Sequence, residues 1–202
     1  MPRLLLIRHG ETDWNRSGQV MGDQPIPLNP NGEQQARACA ELLALTPITE
    51  IFTSPVLRAA QTADILALAH ATRPRHLAGL REIGVGDWIN RYWKDFAEDP
   101  AKRDWYTHPD RARPSGGETL REVQERAVAA IEQALPPTQE ATYAVVSHGD
   151  VIRALLAHYL RLDLRVLRHA RIDHAGVSGL ELTETATHLL FLNHRPGADR
   201  LT

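Results

Sequence analysis

The sequence predicts an α/β fold: a three-layer α/β/α sandwich around a mostly parallel central sheet, with a small lid excursion. Three observations carry this. Short, largely apolar runs at Leu4–Ile7, Ile48–Thr53 and Thr142–Val146 have the length and composition of strands buried on both faces. Segments with helical spacing of apolar residues follow them or lead into them, and alternating strands and helices cover both faces of a parallel sheet. Two of the runs end in the same dipeptide, His9-Gly10 and His148-Gly149.

Taken in order, Leu4 to Ile7 is the first strand, and a helix is expected from about Gly32 to Leu45 after Pro- and Asn-rich turns. Ile48 to Thr53 is the second strand. Ser54-Pro55 then reads as a helix start, serine as the N-cap and proline in the first helical position, with helix continuing from Val56 to His70. Residues 119–135 place apolar groups at helical spacing, and Pro136-Pro137 stops them because proline cannot donate into a helix. Thr142 to Val146 is a strand, Asp150 to Leu160 a helix, and Ser178–Leu182 and His188–Leu192 are two further strand-like pieces. No internal repeat or low-complexity tract interrupts the order.

Residues 1–202 therefore read as one domain, with residues 88–117 as a lid excursion. There Trp88, Tyr92, Trp93, Phe96, Trp105 and Tyr106 are interleaved with charges, and Arg111 to Gly117 is a Pro/Gly/Ser connection. These aromatics suit a small flap that packs on itself, and equally a lid offering flat apolar surface to a ligand's organic part.

Composition excludes several classes. A formal charge of -2 gives no electrostatic footprint for nucleic acid or an anionic membrane, so any anion site must be local. Cys39 is the only cysteine, which rules out an intramolecular disulfide and a cysteine zinc cluster; its setting, QQARACAELLAL, is that of a small core residue. The apolar run Leu4–Ile7 is too short for a signal peptide and no later run could span a bilayer, so a cytoplasmic protein is expected.

The paired strand ends carry the chemistry. In open α/β sheets ligands bind beyond the carboxyl ends of the strands. Arg8 adjoins His9, and Arg58 lies one turn into the helix after Ser54-Pro55; planar guanidinium forks match phosphate oxygens in pairs. Glycine after each histidine allows a tight turn and a close ligand approach. A neutral imidazole whose one N–H is held by a carbonyl has a bare nitrogen able to attack phosphorus, the role expected of His9. His148 would donate to phosphoryl oxygens, and Glu82, in LREIGVGDW, would protonate the leaving oxygen, since a carboxyl near phosphate has its charged form disfavoured. Glu11 is the second candidate acid, though its place after the turn suits a helix start or an arginine partner.

Other classes lack their marks. There is no HExxH or similar metal pattern, no GxSxG elbow and no P-loop, and Gly84-Val85-Gly86 lacks the third glycine of a dinucleotide site. No metal or cofactor is expected. A non-catalytic phospholigand-binding module would use the same anion-binding features.

The residues resemble the histidine phosphatase superfamily in its phosphoglycerate-mutase-like branch. The resemblance runs over nearly the whole chain, through Arg8-His9-Gly10-Glu11-Thr12 with Trp14-Asn15, then Gly22, Pro27-Leu28, Gly32 and Gln35-Ala36. It continues through Ser54-Pro55, Arg58-Ala59 and Gln61-Thr62-Ala63, Glu82, Gly116-Gly117-Glu118, and Ser147-His148-Gly149. It implies a phosphohistidine on His9, a phosphate pocket of Arg8, Asn15, Arg58 and His148 beside Gly149, Glu82 as acid and then base, and no metal. The expected partner is a small phosphorylated metabolite, with a homodimer as a further option.

Three departures from the branch bear on the reaction. Mutases carry a small hydroxyl residue before the glycine at Gly22, whereas Met21 stands here and cannot bind a carboxylate as a hydroxyl does. They also carry a longer insertion after the acid, with additional lysine and arginines. Both points favour a phosphatase, either broad in specificity or similar to α-ribazole-phosphate phosphatases, over a cofactor-dependent phosphoglycerate mutase. Ile89-Asn90 replaces a Glu-Gly common in relatives, so no lid contact is carried over, and nothing is assigned to Asn193-His194-Arg195.

Overall fold

The structure is a computed structural model, and it describes residues 2–96, 98–136 and 140–196. A six-stranded sheet runs in the order β3-β2-β4-β1-β5-β6. Its strands are β1 (Arg3–Arg8), β2 (Ile48–Thr53), β3 (Arg75–His76), β4 (Thr142–Ser147), β5 (Val177–Leu182) and β6 (Thr187–His194). The first four in that order are parallel; β5 pairs antiparallel with β1, and β6 antiparallel with β5.

Strand alternation divides the core in two. Leu4, Leu6, Phe52, Tyr143, Val145 and Leu180 face one side, covered by α5 (Leu120–Ala134) and α6 (Gly149–Tyr159). Leu5, Ile7, Ile51, Ala144, Val146 and Val177 face the other, covered by α2 (Pro30–Leu43) and α3 (Leu57–His70). Burial on both faces is why β1 and β4 are apolar throughout rather than alternating. Cys39 sits in the second core, where burial pushes its thiol up to about 12 and leaves it a packing residue.

Several helix ends differ from the sequence expectation. The second helix starts earlier, with Asn29 accepting from Gly32 N–H at the N-cap and Pro30 in the first position, and it stops at Leu43, leaving Leu45 99 % exposed. Ser54 and Pro55 do not open α3: the helix begins at Leu57 behind Val56, which makes no side-chain cap bond. Ser54 has another task, described below. A short helix, α1 (Asp13–Ser17), was not anticipated; Thr12 and Asn15 close it with a reciprocal capping box. The helix α5 has a capping box too, Thr119 with Glu122, and ends before Leu135 and Pro136; Pro137 lies outside the described residues.

Residues 88–117 form short turns and one helix, α4 (Pro100–Thr107), tied back by bridges Gln19↔Tyr92 and Val85↔Gly117. Trp88, Phe96 and Trp105 are buried, with Trp88 edge-on to Trp105 at 5.4 Å and Trp93 stacked on Trp105 at 6.1 Å. The aromatics of the excursion pack on one another, as the first of the two readings expects, and Trp93, Trp105 and Tyr106 also line a cavity of about 270 Å³. Among the described residues no helix is long and apolar enough to cross a membrane.

Candidate active site

Strands β1 and β4 are neighbours, and their register pairs Arg8 with Ser147. The chain leaves both at the same level, His9 N–H donating to the Ser147 carbonyl at 2.9 Å, so the two histidines emerge side by side with ring centroids 5.2 Å apart. Both rings are almost wholly buried, as is Arg58, which reaches them from the first turn of α3.

The hydrogen bonds assign the tautomers. His9 Nδ1 lies 2.7 Å from the Gly10 carbonyl, which can only accept, so Nδ1 carries the hydrogen and Nε2 is bare. Arg58 Nε donates to that nitrogen at 3.1 Å, while its Nη2 and Nη1 are held by the carbonyls of Gly22 at 2.7 Å and Gln24 at 3.2 Å. For His148, Nε2 lies 2.8 Å from Ser54 Oγ, which already accepts from Val56 N–H. Among the described residues His148 Nε2 is the acceptor within reach of the hydroxyl's one hydrogen, so the hydroxyl donates to it and the His148 hydrogen lies on Nδ1. That atom is buried, without a hydrogen-bond partner, and 3.5 Å from Glu82 Oε2.

The electrostatics follow from burial among cations. Burial, then the charges of Arg58, His148 and Arg8, hold His9 well below the usual histidine range. Burial with Arg58, Arg8 and Arg126 does the same to His148. The Glu82 carboxyl moves the other way, raised by burial and by Asp150 against the opposing pull of Arg58 and Arg8. Arg8, lowered by burial to about 10, stays charged at neutral pH; its Nη1 donates to the Ile172 carbonyl at 2.7 Å and its Nε has no partner. Neutral imidazoles, fixed cations and a carboxyl inclined to keep its proton make a site suited to an anion.

His9, Glu82 and His148 each offer a ligand atom within 4.8 Å of the others, a spacing that a metal ion could use. The nitrogen His9 would offer is, however, the one that Arg58 contacts at 3.1 Å, and a fixed cation there opposes a second cation.

The cavity of about 270 Å³ adjoins this cluster, with Arg8, Asn15, Glu82 and Gly149 among its lining residues. The Asn15 Oδ1 accepts from the Thr12 backbone and hydroxyl at 3.0 Å, leaving its NH₂ as the donor available to a ligand. Glu11 is not a second acid: its carboxylate accepts from Asn29 at 2.8 Å and Arg16 at 3.0 Å, which lower it. Gly149 does adjoin the arginines, since a Cβ there would stand 3.6 Å from Arg8 Nε. Gly10 has a different reason from the one expected. A Cβ on it would overlap the Gly32 carbonyl, so it serves the contact between β1 and α2 rather than a ligand.

The sequence reading missed four contributors. Ser54, read as a helix cap, orients His148. His174 packs its ring 5.8 Å from that of His9, and burial followed by the Arg8 charge lowers it to about 4. Its loop is braced by Asn193, which accepts from Asp173 N–H at 2.7 Å, a residue given no role in advance. Arg126 donates to the carbonyls of Gly79, Arg81 and Glu82 at 2.6, 2.8 and 3.1 Å and pairs with Glu118, so it grips the acid loop. Apart from the Arg126–Glu118 pair, eight residues apart, each of these contacts joins residues at least 20 apart and has no local sequence signal.

Comparison with known proteins agrees with this geometry. The histidine phosphatase superfamily (branch 1) model matches residues 4–195. A probable phosphoglycerate mutase, GpmB, of Salmonella choleraesuis (strain SC-B67) is 30% identical over 187 residues, 92% of this chain and 87% of that protein. Among solved structures, Mycobacterial hydrolase 1 superposes with a TM-score of 0.89 at 27% identity, covering 96% of this chain and 98% of that one. The mycobacterial glucosyl-3-phosphoglycerate phosphatase in complex with VO3 gives 0.85 at 29%, over 95% and 98%. The α-ribazole phosphatase of Shigella flexneri gives 0.85 at 27%, over 96% of each chain. With its two strand-end histidines set among arginines and a family match over nearly its whole length, the chain belongs to the histidine phosphatase superfamily, branch 1.

Proposed function

We propose that the chain is a metal-independent phosphomonoester hydrolase acting on a small phosphorylated metabolite through a phosphohistidine on His9. The observation that carries the reading is the His9 ring: one nitrogen held by the Gly10 carbonyl at 2.7 Å, the other bare and contacted at 3.1 Å by an arginine. A bound phosphoryl group takes over the Arg58 N–H, which frees the Nε2 lone pair to attack phosphorus. As the P–O bond breaks, Glu82 gives its proton to the leaving oxygen. The carboxylate so formed takes a proton from water, which attacks phosphorus and returns His9 to its starting state. Arg8, Arg58, Asn15 and the Nδ1–H of His148 hold the phosphoryl oxygens, where charge shifts in the transition state.

Hydrolysis is favoured over mutase chemistry because Met21 lines the cavity where a mutase is expected to place a hydroxyl; its sulfur is an acceptor that meets the Thr12 hydroxyl at 3.2 Å. The aromatic rim suits a broad-specificity enzyme or one similar to the α-ribazole phosphatases among the structural neighbours. The test is His9→Ala, expected to abolish both hydrolysis of an aryl phosphate and acid-labile phosphoryl labelling of the protein. A variant that still turned over and still became labelled would overturn the reading. A wild-type chain that binds phosphate esters but hydrolyses none would instead be a phospholigand-binding protein.

A further inference from the structure

We propose that a second copy of this chain packs on β6, two protomers meeting across a two-fold axis through Leu189, Leu190, Phe191 and Leu192. The inference is independent of the reaction proposed above. β6 is the last strand in the sheet order and pairs with β5 alone. Sheet edges are ordinarily guarded by charged side chains, by proline or by being short. β6 runs for eight residues, Thr187–His194, and none of them is Asp, Glu, Lys, Arg or Pro. Four successive apolar residues are partly exposed instead, Leu189 at 43 %, Leu190 at 45 %, Phe191 at 38 % and Leu192 at 44 %.

Regular pairing would turn alternate side chains of β6 to opposite faces. Two register shifts against β5, between Val177 and Gly179 and between Gly179 and Leu180, break that alternation beside the apolar run. Shifts of this kind also spoil main-chain pairing, so the contact is one of side chains rather than a continued ladder. Phe191 is held in place from within its own protomer: its ring lies against Gly179, where an added Cβ would stand 2.6 Å from a ring carbon.

Charge and area select a second copy as the occupant. The patch is uncharged, but its flanks are not. Glu184 is exposed in the turn before β6, and Arg195, about half exposed, follows its end. A two-fold axis through the middle of β6 sets the two strands antiparallel, which turns Glu184 of each protomer towards Arg195 of the other. A parallel arrangement would bring like charges together. Leucine and phenylalanine exposed to this degree present roughly 75 Å² each, about 300 Å² of apolar surface per protomer. Two such patches give about 600 Å², and at the usual apolar share of an interface the whole contact covers about 1,000 Å², the least that a specific dimer needs. A dimer of that size should come apart on dilution.

Sedimentation velocity of the full-length chain, from low to high micromolar concentration, is expected to show a monomer converting to a dimer. The double variant Leu190→Lys/Leu192→Lys, changed only at exposed positions and checked for an unaltered circular dichroism spectrum, is expected to stay monomeric throughout. The arrangement is read by cross-linking. Cys39 is the only cysteine, and burial pushes its thiol up to about 12, so the background is silent. Leu190→Cys, near the axis, should be joined to its own counterpart by a short bis-maleimide. His188→Cys should not, because the axis sets it opposite the far end of the other strand. A wild type that is monomeric at every concentration, a dimer that survives the two lysines, or equal cross-linking at the two positions would overturn the interface. None of these readings depends on turnover, so they stand or fall apart from the phosphatase proposal.

Discussion

At the scale of single residues, the site is a set of imposed protonation states. Burial among cations makes His9 resist protonation while the Gly10 carbonyl fixes its tautomer, and His148 takes its tautomer from a serine hydroxyl at 2.8 Å. Ser54→Ala removes that hydroxyl without touching Arg8 or Arg58, so His148 can turn its hydrogen away from where the proposed mechanism places the phosphoryl oxygens. A fall in kcat of about tenfold to a hundredfold with a smaller change in KM is expected from steady-state kinetics, the range for losing one oriented donor. The raised Glu82 carboxyl sets a second expectation. In the proposed mechanism it works protonated in the first step, so kcat/KM for an alkyl phosphate should decline as pH rises through a value above the ordinary carboxylate range. With an aryl phosphate, whose leaving oxygen needs less protonation, the same limb should flatten. A pH profile identical for the two substrates would remove Glu82 from the acid role.

Elements matter here through close approach and grip. The backbone contact between Gly10 and Gly32 brings α2 against the end of β1, and either glycine would drive a Cβ into the other's segment. Gly32→Ala is therefore expected to destabilise the protein by about 1–3 kcal/mol, measured as a lower midpoint in denaturant unfolding. The acid loop is gripped by α5: Arg126 binds three of its carbonyls, and Glu118 accepts from Gly84 N–H at 2.8 Å while pairing with Arg126 at 2.9 Å. Arg126→Ala loosens the loop and also strands the Glu118 charge. It should cost more kcat with alkyl than with aryl phosphates, because it misplaces the acid and not the nucleophile. Rapid kinetics with both leaving groups separates that pattern from general unfolding, which would depress both alike.

For the molecule as a whole, folding buries two histidines in a state that resists protonation. Their folded pKa values lie below the unfolded value of about 6.5, so the unfolded chain binds more protons in that interval. Stability should be complete above about pH 6.5 and decline as pH falls through it; thermal melts between pH 8 and 5 should record a falling Tm. The layered α/β/α architecture, the strand ends and His9, His148, Arg8, Arg58 and Glu82 were all legible from the chain, because apolar runs and short motifs are local marks. Ser54, His174, Asn193 and Arg126 were not, since their partners lie on other elements and become neighbours only once the chain has folded. Where helix α3 begins was misjudged for a related reason: Ser54 and Pro55 have the chemistry of a helix start, but His148 claims the serine from another strand. The register of β1 on β4 has one more consequence. On the ribosome, His9 must wait for more than 130 further residues before the strand beside it can dock. A nascent chain halted at Pro136 holds the proposed nucleophile, Arg58 and Glu82 yet has no β4 to support them, so the proposed catalysis waits for the chain to run past Ser147.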